Sequence, residues 1–139
     1  IKSQTGVLRD VPKNLPALMR SYKVQEKAAQ VGFDWDDIED VFRKVEEEIR
    51  ELRDVYKSNN VERITDELGD AFFALVNLAR FLNVQPELAL NGTIAKFIKR
   101  FEYIEQQSSK AGKKLEEMTL PEMDELWNEA KIQLSDNQK

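Results

Sequence analysis

The chain has 139 residues, enough for one domain with a hydrophobic core. Its 21 basic and 26 acidic residues leave a net charge of −5, which opposes loose binding to a nucleic-acid polymer; 34% charged and 41% hydrophobic residues, with five Gly and four Pro, suit long amphipathic helices. Cys and His are both absent, which excludes disulfides, thiol nucleophiles, His-ligated zinc and Ser-His-Asp triads, and leaves carboxylates, Lys, Arg, Tyr and hydroxyls for any chemistry.

Residues 1–14, with Gly6 and Pro12 and no helical period, are expected to form an irregular arm. Leu15, Leu18, Met19, Tyr22 and Ala29 then recur at helical spacing and predict a first helix over 15–30, ended by Val31-Gly32-Phe33. Asp34 is the expected N-cap of a second helix, whose stripe of Ile38, Val41, Phe42, Val45, Ile49, Leu52 and Tyr56 runs to Lys57. A polar break at Lys57-Ser58-Asn59-Asn60, with Asn59 and Glu62 in capping register, predicts a third helix from near Asn60 to Leu82. From Ala71 on this helix is apolar on nearly every side, as a helix enclosed by others is. The run Ala71 to Leu82 is too short, and with Asn77 and Arg80 too polar, to span a bilayer. No membrane partner is expected, and without a visible signal peptide the chain reads as cytoplasmic. Pro86 is placed to open a fourth helix carrying Leu90, Ile94, Phe97, Phe101 and Ile104, followed by a loop over Gln106 to Lys114. Thr119-Leu120-Pro121-Glu122 has the form of a capping box before a fifth helix with Met123, Leu126, Trp127 and Ala130, and residues 135–139 are expected to fray. The fold class is therefore all-α, an antiparallel bundle of about five helices over residues 15–134.

The acids of the second and third helices fall at particular angles. At 100° per residue, Glu48 lies inside the apolar stripe of the second helix, with Glu47 and Glu51 on one border of it. Glu67 and Asp70 border the apolar face of the third helix on one side. A short break between two long helices makes an antiparallel hairpin, and in it residues equally far from the turn sit at equal height. This predicts two pairs, Glu47 with Asp70 and Glu51 with Glu67, and gathers five acids into one patch. Each like-charge pair at roughly 5 Å costs about 3 kcal/mol at an effective dielectric near 20, so the patch must take up protons or a cation. Oxygen ligands alone favour Mg²⁺, with Mn²⁺ as a substitute. Against this stands the ordinary fate of a helical Glu, which is solvation; it describes Glu47 alone better than it describes the whole constellation.

Other candidates contact phosphate or base. Lys96 and Arg100 stand one turn apart on a border of the fourth helix and are placed to grip phosphate. Trp127 and Lys131 form a second such pair, a flat ring with a cation, suited to a base and a phosphate. Taken singly, Trp127 reads as a core residue and the cations as a solvated edge. Asn77 faces the same side of its helix as Asp70, and Gly69 faces away, which suggests close helix packing.

Glu47-Glu48-Ile49-Arg50-Glu51, fifteen residues, then Glu67-Leu68-Gly69-Asp70 resembles the E-E-x-x-E and E-x-x-D signature of the MazG family. Leu15-Pro16-Ala17-Leu18-Met19-Arg20, Val31-Gly32-Phe33-Asp34-Trp35, Val76-Asn77-Leu78-Ala79-Arg80 and Lys96-Phe97-x-x-Arg100-Phe101 are similar to that family as well. The resemblance covers about Leu15 to Gln133 and is strongest to the C-terminal domain of tandem-domain MazG proteins. It implies a helical nucleoside triphosphate pyrophosphohydrolase that uses Mg²⁺ to release nucleoside monophosphate and pyrophosphate, in nucleotide-pool house-cleaning. It further implies Glu47, Glu48, Glu51, Glu67 and Asp70 as metal ligands. Lys44, Lys96 and Arg100 would be phosphate contacts, Trp127 and Lys131 nucleotide contacts, and the assembly a homodimer or higher homo-oligomer that completes the bundle.

On this reading water attacks the α-phosphorus, and Glu47 or Glu48 takes its proton. Two other classes fit the same composition: a non-catalytic helical oligomerisation module, and a nucleotide sensor that binds without turnover.

Overall fold

The computed structural model describes residues 3–136, and every regular element among them is helical. The six α-helices are α1 (Gln4–Arg9), α2 (Ala17–Ala29), α3 (Ile38–Val55), α4 (Val61–Phe81), α5 (Pro86–Lys110) and α6 (Leu120–Asp136). The chain divides into two compact units, one ending at Ala89 and the other beginning at Leu90.

The first unit is built on the α3–α4 hairpin. A 3₁₀ turn over Tyr56–Ser58 ends α3, and Asn59 then takes the left-handed conformation with φ 60°, which Asn tolerates better than most residues. Ser58 holds both sides of this turn: its hydroxyl donates to the Val55 carbonyl at 2.6 Å and accepts from the Asn60 amide at 3.2 Å. Asn60 is the N-cap of α4, its side chain accepting from the Arg63 amide. The expected cap at Asn59 is thus displaced by one residue, because Asn59 is used to reverse the chain. Val41 and Val55 of α3 and Ala71, Ala74 and Val76 of α4 are buried. The two helices pack directly on one another. α2 packs on α4, tied by the buried Gln25, whose amide donates to the Phe73 carbonyl at 3.0 Å.

Several expectations are corrected here. Residues 4–9 of the predicted arm form a helix, because the Ser3 hydroxyl caps it by accepting from the Gly6 amide; α1 packs on α2. Asp37, not Asp34, caps α3: it has extended backbone and accepts from the Glu39 amide. α4 is not enclosed within one chain, since Phe72, Phe73 and Leu75 stay about half exposed. Gly69 has open space where a Cβ would stand, so close packing is not its role in this chain.

In the second unit α5 continues through Gln106 to Lys110, five residues into the expected loop. It ends on Gly112 with φ 71°, the Lys113 amide donating back to the Ser108 carbonyl. The buried Ser108 hydroxyl fixes the same turn by donating to the Lys113 carbonyl at 2.6 Å. The Thr119–Glu122 capping box forms as predicted: the Thr119 amide donates to the Glu122 carboxylate, and the Glu122 amide to the Thr119 hydroxyl. Ser135 and Asp136 still belong to α6, whereas 137–139 of the expected frayed end lie outside the described residues.

Candidate metal centre

The hairpin brings Glu48 of α3 and Glu67 and Asp70 of α4 together. One carboxylate oxygen from each lies within 4.8 Å of the others. The register follows from the turn: Glu48 and Asp70 are equally far from Asn59, and so are Glu51 and Glu67. The Glu51–Glu67 pair forms as the sequence predicts. The expected partner of Asp70 was Glu47, and the structure supplies Glu48 instead, because the reversal centres on Asn59 itself. Glu47 stays outside the three-acid group with its side chain 47% exposed.

Glu48 is the inner member, only 4% exposed. Lys44, one turn earlier, donates to its Oε1 at 2.9 Å and lies 3.6 Å from Glu47 Oε2. Glu48 Oε2 and Glu67 Oε2 are buried with no hydrogen-bond partner. A buried carboxylate oxygen without a donor is costly, and the cluster holds two of them. The strain is visible in the neighbours. Repulsion from Glu48, then loss of water, then a hydrogen bond to Glu67 raise Glu51 to about 7. Asp70 is also raised, first by loss of water and then by Asp66 and Glu48, with Lys44 pulling it back. Lys44 is pushed above the ordinary lysine value, chiefly by its hydrogen bond to Glu48.

Glu48, Glu51, Glu67 and Asp70 therefore form a set of four acids with one cation, Lys44, paired to it, and its all-oxygen chemistry fits a hard divalent cation. The two orphaned oxygens of Glu48 and Glu67 are the observation that carries this fit.

Asn77 is placed differently from the expectation. Its Oδ1 accepts from Arg80 Nε at 3.1 Å and Nη2 at 3.0 Å, and Arg80 also pairs with Asp34. This triad ties the turn before α3 to α4, and explains why Asp34 is not a cap. The signal for it was an Arg three residues after an Asn on one face of the helix.

In the second unit Arg100 lies over the Trp127 ring, 5.3 Å from its centroid, and Phe97 packs on the same ring at 5.3 Å. The ring's neighbours are thus an aromatic and a guanidinium, an arrangement that suits packing and cation–π contact. Lys96 and Lys131 are exposed.

Comparison with known proteins gives the family. Residues 36–104 match the MazG nucleotide pyrophosphohydrolase domain. The chain carries a MazG domain. All the acids of the centre lie within the matched residues, as do Lys44, Asn77, Lys96 and Arg100; Trp127 and Lys131 lie beyond them. The chain is 42% identical over 130 residues to the nucleoside triphosphate pyrophosphohydrolase/pyrophosphatase MazG of Thermotoga maritima, covering 94% of this chain and 50% of that protein. It is 40% identical over 134 residues to the nucleoside triphosphate pyrophosphohydrolase of Escherichia coli K12, covering 95% and 51%. It is 48% identical over 130 residues to the Bacillus subtilis protein YabN, covering 93% and 27%. The chain spans about half the length of the first two of these relatives. No helix among the described residues is long and apolar enough to cross a membrane.

Proposed function

We propose that this MazG domain hydrolyses nucleoside triphosphates to the monophosphate and pyrophosphate, in the service of nucleotide-pool house-cleaning. The support is the donor-starved acid cluster at the hairpin, together with relatives named for that activity. Glu48, Glu67 and Asp70, with Glu51 beside them, are the residues to hold Mg²⁺ or Mn²⁺. The ion supplies Lewis-acid charge to the polyphosphate when bound. Glu47 lies outside the three-acid group, at its wet edge, and is the carboxylate best left to take the proton of the attacking water. Lys44, Lys96 and Arg100 neutralise phosphate charge, and Trp127, Lys131 and Asn77 are assigned to the rest of the nucleotide. Because Asn77 Oδ1 already accepts from Arg80, its contribution would come through the amide NH₂.

Incubation with a panel of nucleoside triphosphates and Mg²⁺ tests the reaction. Pyrophosphate as the inorganic product is expected; orthophosphate alone would mean attack at the terminal phosphorus and would overturn the proposal.

The bare face of α4 supports a homodimer. Leu68, Phe72 and Leu75 are 41%, 54% and 45% exposed and share one stripe of α4 at i, i+4 and i+7, and an exposed apolar stripe of this kind favours association. Sedimentation at micromolar concentration should return twice the chain mass, and Phe72→Glu together with Leu75→Glu should return the monomer.

A further inference from the structure

Lys44 supplies the nearest positive charge to the buried acid, and its placement is not explained by helix stability. In an exposed helix an acid four residues before a base is the favourable order, and here the base comes first. The pair instead runs from wet to dry: the Lys44 side chain is 37% exposed and that of Glu48 6%. One ammonium satisfies Glu48 Oε1, while Glu48 Oε2 and Glu67 Oε2 are left without a donor. A single positive charge therefore compensates one member of the cluster and leaves room for more. A divalent ion held by Glu48, Glu67 and Asp70 would place two positive charges next to the carboxylate that Lys44 occupies, and like charges at that range repel. The lysine stem is flexible and already partly in water, so the ammonium has a way out.

We infer that Lys44 is a built-in counter-ion, which neutralises Glu48 when no divalent ion is bound and is released toward solvent when one loads. Metal loading then frees a cation for the polyphosphate, so the two ligands favour each other's binding. This rests on reading the acid cluster as a divalent-metal site.

The test is titration calorimetry with Mg²⁺ alone, without nucleotide, on the wild type, Lys44→Met, Lys44→Gln and Lys44→Arg, with Glu48→Gln as the site control. Circular dichroism identifies which variants are folded, and Met and Gln each remove the charge, so either one suffices. The neutral variants should bind Mg²⁺ about tenfold more tightly than wild type, while Lys44→Arg should stay near or below it. With Mg²⁺ saturating, a non-hydrolysable triphosphate analogue should bind the neutral variants about tenfold more weakly than wild type. Equal Mg²⁺ affinity in wild type and a folded neutral variant would overturn the counter-ion role alone. Failure of the wild type itself to bind Mg²⁺, with no difference from Glu48→Gln, would overturn the metal site and this inference with it.

Discussion

Two groups of carboxylates in this chain lie at opposite extremes of hydrogen bonding. At the start of α6, Glu122 accepts from Lys113 Nζ at 2.9 Å and from both the amide and the hydroxyl of Thr119 at 3.0 Å. Those donors, Lys113 first, lower its pKa to about 2. At the α3–α4 hairpin, two acid oxygens are buried without any donor, and Glu51 rises to about 7. Both glutamates stand on helices in one acidic chain, so residue type does not separate them. The donors do. A satisfied acid contributes to the fold, whereas a set of acids short of positive charge weakens the fold until a ligand brings that charge, which is the signature of a site.

The largest effect that sharpens this contrast is on turnover. Glu48→Gln keeps the shape of the buried side chain and removes the charge that pairs with Lys44. It should lower pyrophosphate release at least about a hundredfold, with circular dichroism unchanged. Full activity in this variant would show that the hairpin acids are not the site. Next comes metal linkage: Mg²⁺ at a hundredfold excess over its dissociation constant should stabilise the folded wild type by about 2.7 kcal/mol. Glu48→Gln should lose most of that increment in a thermal melt, and Glu122→Gln should keep it. A melt of the wild type that is the same with Mg²⁺ and with EDTA would remove the contrast between the two settings.

Much of this was legible in the sequence because helical period and capping chemistry are local. Glu48 within an apolar stripe, Thr119 with Glu122, and Pro86 at a helix start all follow from spacing, and all are found. What escaped was set by single conformations or by tertiary contact. Asn59 reads as a cap until its left-handed backbone shows it to be the pivot, and that one residue decides whether Glu47 or Glu48 faces Asp70. Asp34 has the chemistry of a cap but is claimed by Arg80, 46 positions away. The α1 helix is set by the Ser3 cap and by its packing on α2, with no apolar period to announce it. The apolar girth of α4 pointed to an enclosed helix, and only the packing shows that one chain leaves part of that surface bare.

The pH dependence of stability should run in opposite directions in the two settings. Glu51 holds its proton more tightly in the fold than in the unfolded chain. Without metal, stability should therefore fall as pH rises from about 4.5 to about 7, and Glu51→Gln should flatten that slope. Glu122 is the reverse: its contribution is complete above about 4.5 and is lost as pH falls toward about 2. Urea melts in EDTA across this range measure both, and a slope that Glu51→Gln leaves untouched would mean the hairpin acids do not share protons as described.

The smallest effect separates the cap from the site. Thr119→Ala removes the hydroxyl that accepts from the Glu122 amide and donates to its carboxylate, while the Thr119 amide and Lys113 remain as donors. The loss should be about 1 kcal/mol, the usual cost of a helix N-cap. Because Lys113 is the leading cause of the low Glu122 pKa, that group should move only part of the way back toward 4.5, and the acid limb of the stability curve should shift upward slightly. The Mg²⁺ increment and pyrophosphate release should be unaltered, since every donor lost belongs to the cap itself. If Thr119→Ala abolished the Mg²⁺ response while remaining folded, the division between a carboxylate that holds the fold and carboxylates that await a cation would fail.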